Sequence, residues 1–143
     1  MRIVLASDHG GFRLKNALVA SLKAAGHEVT DLGATSTEPS DYADYAHRVA
    51  EAIEQKTHDR GILVCGTGVG MSMSANRHAG VRAVNCSDTF TARHSRSHND
   101  ANVLTLGERV VGPGLAQDIV DVWLATAWSL DERHVRRVAK IEP

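Results

Sequence analysis

The chain has 143 residues, 43% of them hydrophobic and 23% charged, with a formal net charge of −1. That length predicts one domain with a real core, and the composition is ordinary for a globular protein. The charge balance gives no electrostatic case for a nucleic-acid or membrane-surface partner, and no apolar run approaches the length of a membrane span.

Residues 2–6 read as a short apolar strand, and Ser7-Asp8-His9-Gly10-Gly11 as a turn. Residues 12–25 read as a helix, because Leu14, Leu18 and Leu22 recur every four positions and Gly26 is a natural stop. Residues 27–32 alternate like a strand, and a polar loop through Pro39 follows. Ser40 or Asp41 can cap the next helix, which carries Tyr45, Val49, Ala52 and Ile53 to about residue 55. Ile62, Leu63 and Val64 form a central buried strand that runs into Cys65-Gly66-Thr67-Gly68-Val69-Gly70. A short helix over 71–78 and a strand over 81–86 come next. Ser87 or Asp88 caps a polar helix reaching residue 97, and residues 102–106 make a fifth strand. Gly112-Pro113-Gly114 opens a long apolar helix, and Asp131 caps a basic terminal one. Strands and helices alternate throughout, which predicts a parallel sheet covered on both faces. In such a sheet ligands bind outside the carboxyl ends of the strands. Asp8-His9, the Cys65 loop and Cys86-Ser87-Asp88 all fall at that rim.

The glycine loop is the strongest signal. Its glycines let the backbone turn and bring N–H groups close to a ligand, and the helix behind adds its own free amides. The spacing is G-x-G-x-G, not the G-x-G-x-x-G of dinucleotide sites, and it follows the third strand. No lysine follows Gly70, so it is not a P-loop. A cysteine phosphatase would need an arginine at position 71, which is Met. The bland alternative is a tight turn that binds nothing, and a cysteine directly before three alternate glycines argues against it. Beside backbone N–H groups a thiol is set up to act as base or nucleophile. Cys86 reads as inert packing. With no export signal in residues 1–6, both thiols are expected to be free, in a reducing cytoplasm. His94 and His98 share a helix face, yet no third ligand stands near them, so no metal is expected. Arg133 and Arg137, also four apart, could grip one phosphate, although a charged terminal helix is more often a solvated face.

Together, Ser7-Asp8-His9-Gly10-Gly11, Asp41-Tyr42, the Cys65 loop, Ser74-Ala75-Asn76, Gly80-Val81-Arg82-Ala83, Ser95-Arg96-x-His98-Asn99 and Leu106-Gly107-x-Arg109 resemble ribose-5-phosphate isomerase type B. That group is related to the galactose-6-phosphate isomerase subunits. The resemblance covers nearly the whole chain in order. It implies a Rossmann-like α/β/α sandwich with a five-stranded parallel sheet. It implies a homodimer, sometimes paired into tetramers, with active sites shared between subunits. It also implies metal-free, cofactor-free interconversion of ribose 5-phosphate and ribulose 5-phosphate. By motif position Cys65 would be the base, and His98, from the partner subunit, would open the furanose ring. Gly66, Gly68, Val69 and Gly70 would hold the enediolate oxygens, assisted by Thr67. Asp8, His9 and Asn99 would bind substrate, with Arg109, Arg133 and Arg137 supplying positive charge. One branch of the family carries an acidic base in the loop and lacks the cysteine; with Val69 and Cys65 this chain sits in the other. The proline common after the Asp-Tyr turn is Ala43 here, which bears on loop rigidity. Other phosphorylated sugars (tetrose, allose or galactose phosphates) remain alternatives, as does a non-catalytic phosphate- or nucleotide-binding module.

Overall fold

The structure, a computed structural model, describes residues 1–142. Five strands alternate with six α-helices: β1 (Arg2–Ser7), α1 (Phe12–Ala24), β2 (Glu28–Asp31), α2 (Tyr42–Glu54), β3 (Arg60–Cys65), α3 (Val69–Ala75), β4 (Ala83–Asn85), α4 (Thr89–Ser97), β5 (Val103–Gly107), α5 (Pro113–Ala125) and α6 (Glu132–Val138). A 3-10 turn, His9–Gly11, links β1 to α1. All strand pairs are parallel, in the order β2-β1-β3-β5-β4. The chain is therefore the expected three-layer α/β/α sandwich.

Strand alternation decides which side chain faces which layer. Leu5, Ile62 and Leu104 lie side by side across the three central strands and face α1 and α5. Val4, Ala6, Leu63, Cys65 and Val103 point the other way, into α2 and α3. Right-handed crossovers explain the split. The path steps from β1 to β2 in one direction, then through β3 to β4 in the other, and returns from β4 to β5. Each reversal moves the connecting helix to the opposite face, so α4 joins α1 and α5 through Ala92.

Capping follows the sequence at two helices. Asp88 accepts the Thr91 N–H (2.7 Å) at the start of α4, and Asp131 accepts the Arg133 N–H (3.0 Å) at the start of α6. The bounds of α3 and β4 depart most from the sequence reading. α3 starts at Val69, inside the glycine loop, and ends at Ala75. β4 shrinks to three residues, because it is the sheet edge and pairs on one side only. The Asn76 side chain covers part of that edge: its Nδ2 donates to the Ala83 carbonyl (2.9 Å) and its Oδ1 accepts the Ala83 N–H (2.8 Å). The sequence reading sets no strand order, and in the sheet β5 inserts between β3 and β4. The segment after β5, not Cys86-Ser87-Asp88, is thereby the neighbour of the Cys65 loop.

Candidate active site

Cys65 ends β3 with only 5% of its surface exposed. Its Sγ accepts the backbone N–H of Gly68 at 3.0 Å. Gly68 adopts φ +81, the left-handed region, and a Cβ there would collide with the Asn85 side chain. The loop is held from β5 as well: the Thr105 hydroxyl donates to the Gly68 carbonyl (2.9 Å). Asn85 Nδ2 donates to the Thr67 carbonyl (3.3 Å). Thr67 itself is exposed, and its hydroxyl oxygen lies 3.4 Å from the Val69 N–H that can donate to it. The next two amides of α3, those of Gly70 and Met71, have no acceptor within the helix and can meet a ligand oxygen.

Two further strand ends wall this loop. Asp8, 6% exposed, folds back so that its Oδ1 accepts the Gly10 N–H (2.8 Å). The place where a Gly10 Cβ would stand is 3.2 Å from the Gly66 nitrogen, so this turn lies directly on the cysteine loop. His9 Nδ1 sits 3.2 Å from both the backbone N and O of Ser40, tying the ring to the loop before α2. From the β5 side, Glu108 N–H donates to the Cys65 carbonyl (2.9 Å) and Arg109 N–H to that of Gly66 (3.1 Å). The Arg109 Nη1 comes within 3.3 Å of where a Gly66 Cβ would stand.

Two residues absent from the sequence-based site belong to this wall. The Tyr42 ring packs on Gly70, 2.6 Å from where its Cβ would be. Gly107 lies under Thr67, whose backbone would be 2.7 Å from any Cβ added there. The sequence carries both only as parts of motifs, Tyr42 in the Asp41-Tyr42 turn and Gly107 in Leu106-Gly107-x-Arg109, with no role assigned to either.

Asp8, His9, residues 66–70 and Arg109 thus gather around Cys65, whereas His98, Asn99, Arg133 and Arg137 do not. α4 begins at the same rim of the sheet and runs back antiparallel to the strands, as a crossover helix must. His98 caps its far end, close to where Asn102 O accepts the Gly61 N–H at the start of β3. A six-residue strand spans about 20 Å, and α4 covers the face opposite the one Cys65 faces. Within one chain His98 and Cys65 are therefore on opposite rims.

The second group has its own architecture. The His98 ring lies 4.8 Å from that of His94, edge-on, and 4.2 Å from that of His134. His134 is buried, and its Nδ1 is 2.7 Å from the Ser129 hydroxyl. Desolvation, then the neighbouring His134, His94, Arg133 and Arg137, hold His98 below the usual imidazole range. Cys86 differs in kind from Cys65: burial, with the Asp88 charge nearby, pushes its thiol up to about 12. Among the described residues, no group of three or more His, Cys, Asp or Glu side chains is placed to hold a metal ion. No helix among them is long and apolar enough to cross a membrane.

Comparison with known proteins places the chain in a family. The family model described as Ribose/Galactose Isomerase matches residues 3–141. The chain is 50% identical over 140 residues to ribose-5-phosphate isomerase B of Escherichia coli, covering 98% of this chain and 93% of that one. It is 42% identical over 125 residues to D-erythrulose-4-phosphate isomerase of Pectobacterium atrosepticum, covering 87% and 82% of the two chains. The solved structure of Clostridium thermocellum ribose-5-phosphate isomerase B superimposes with a TM-score of 0.97 at 50% identity, covering 99% and 95%. With a thiol and a ring of backbone amides at the carboxyl rim of a parallel sheet, the chain belongs to the ribose/galactose isomerase family and is a sugar-phosphate isomerase.

Proposed function

We propose that the chain interconverts ribose 5-phosphate and ribulose 5-phosphate through an enediolate, with Cys65 as the base and no metal. The observation that carries this reading is the Gly68 N–H aimed at the Cys65 Sγ at 3.0 Å, next to exposed Thr67. A base and donors for a developing oxyanion are what proton removal beside a carbonyl requires.

The reaction needs four proton movements. His98 of the partner subunit takes the proton of the O1 hydroxyl and delivers one to the ring oxygen, so the furanose opens to the aldehyde. Cys65 removes the C2 proton. The amides of residues 66–70, with the Thr67 hydroxyl, hold the enediolate oxygens while a proton passes from O2 to O1. Cys65 then returns its proton to C1, giving the ketose. His9, Arg109 and, from the partner subunit, Arg133 and Arg137 offset the phosphate charge, while Asp8 and Asn99 orient the sugar hydroxyls. The opposite-rim placement of His98 and Cys65 supports a site shared between two copies of the chain, in a dimer or a pair of dimers. The free thiols fit a reducing cytoplasm.

A second reading keeps the chemistry and shortens the substrate, because one close relative is described as a D-erythrulose-4-phosphate isomerase. Initial rates on ribose 5-phosphate, a tetrose 4-phosphate and hexose 6-phosphates separate the two. The pentose reading expects kcat/KM for ribose 5-phosphate to exceed the others by at least about tenfold. A tetrose preference overturns it. Turnover unchanged after EDTA treatment is expected; loss restored by a divalent cation contradicts the metal-free step.

A further inference from the structure

We propose that Asp100 is a positioning residue for ring opening, clamping the end of α4 so that His98 and Asn99 leave it in a fixed direction. The proposal rests on the ring-opening role read for His98 above.

α4 does not end in a glycine. Its chain reverses through Asp100, a non-glycine residue at φ +48, in the left-handed region. Two backbone bonds close the reversal: Asp100 N–H to Arg96 O (3.2 Å) and Ala101 N–H to Ser95 O (2.9 Å). The carboxylate then binds two arginines from different elements. Oδ1 accepts from Arg96 Nη1 and Oδ2 from Arg82 Nη2, each at 2.8 Å. Arg82 Nε also donates to the Asp100 carbonyl (2.9 Å). Arg96 is only 3% exposed, donates again to the Ala101 carbonyl, and lies 5.9 Å over the Trp123 ring. Arg60 shares the neighbourhood, held below the usual guanidinium range by burial and then by the Arg96 charge.

The chemistry explains the choice of residue. Asparagine tolerates the left-handed backbone, but it has one acceptor oxygen and no charge, and this position meets two guanidiniums. Helix ends fray, and a side chain that must meet a substrate held by another subunit cannot be left on a frayed end. His98 and Asn99 are the last two residues before the clamp. The ring of His98 packs against that of His134 on one side, tilted by 32°, while Asp100 fixes the backbone from the other. The bland alternative is that Asp100 only neutralises Arg96 and supports the fold.

Two reactions separate these accounts. Net isomerisation of ribose 5-phosphate needs ring opening. Ribulose 5-phosphate is acyclic, because its ring-forming hydroxyl carries the phosphate, so solvent deuterium can enter C1 through Cys65 alone. In Asp100→Asn, net isomerisation is expected to fall about tenfold, and deuterium wash-in at C1 by twofold or less. Arg82→Gln, which keeps the Arg96–Asp100 pair, is expected to shift the same ratio in the same direction by a smaller factor. Because the readout is a ratio, partial unfolding does not move it. Parallel loss of both reactions, or loss of neither, in both variants overturns the proposal. His98→Asn is the control and should lose isomerisation much further than exchange. If it loses both equally, the ring-opening role falls and takes the proposal with it.

Discussion

The backbone N–H of Gly68 points at the Cys65 sulfur across 3.0 Å, and only a glycine at φ +81 with no Cβ against Asn85 can present it there. That bond fixes the sulfur at the mouth of the glycine loop, where a base must stand to reach a substrate carbon. Cys65→Ala is therefore expected to abolish isomerisation while leaving sugar-phosphate affinity within about threefold, as titration calorimetry would read. Gly68→Ala keeps the thiol and misdirects the donor. Its kcat is expected to drop by about 10²-fold, a loss that steady-state kinetics would detect.

Gly107 supports the same loop from below. A methyl there would stand 2.7 Å from the Thr67 backbone, well inside contact distance. Gly107→Ala is expected to cost about 1–3 kcal/mol of stability and to reduce kcat more than it raises KM, because Thr67 is displaced. Thermal unfolding and initial rates measure the two effects separately; unaltered kinetics would mean that the loop tolerates the shift.

The pH behaviour follows from His98. Its folded-state pKa is lowered, by desolvation and then by His134, His94, Arg133 and Arg137, so the unfolded chain takes up a proton more readily. Stability from this group is complete above the ordinary imidazole value and is lost as pH falls below it. His98→Asn should make the fall of the melting temperature between pH 7 and pH 5 shallower. An unchanged slope would show that His98 carries none of it.

On the opposite side of the site, a buried cation anchors the loop that holds His9. Lys15 is 1% exposed, and its Nζ donates to both Asp31 oxygens (2.9 and 2.7 Å) and to the Ala34 carbonyl (3.0 Å). Lys15→Met strips two hydrogen bonds from the end of β2 and one from the loop that runs on to Ser40, the partner of His9. A stability loss of about 2 kcal/mol is expected, with a rise in KM for the sugar phosphate. A rise in stability would show that the apolar replacement packs better than the pair.

How much of this was written in the sequence differs by feature. Asp88 and Asp131 cap the helices they were expected to cap, because capping is local chemistry. The apolar runs marked the strands, but an apolar run records burial and not its neighbour, so the insertion of β5 between β3 and β4 was invisible. That insertion brings Arg109 to Gly66 and Gly107 to Thr67. α3 was expected from residue 71 because glycine is a poor helix former. It starts at Val69, and the Tyr42 ring rests on Gly70 in its first turn. His94 and His98 share a helix face as their spacing demands. The third ring, His134, arrives from α6, about forty positions away in the chain.

The central claim is that Cys65 of one chain works with His98 of another, since one chain holds them on opposite rims. The direct measurement is complementation. Cys65→Ala and His98→Asn chains, each inactive on ribose 5-phosphate, are refolded together. A heterodimer then holds one site with both residues intact, so random pairing restores roughly a quarter of the sites. Recovery of about that fraction of wild-type turnover is expected. If the mixture stays as inactive as its components, although mass spectrometry shows that heterodimers form, the site is not shared and the account is wrong.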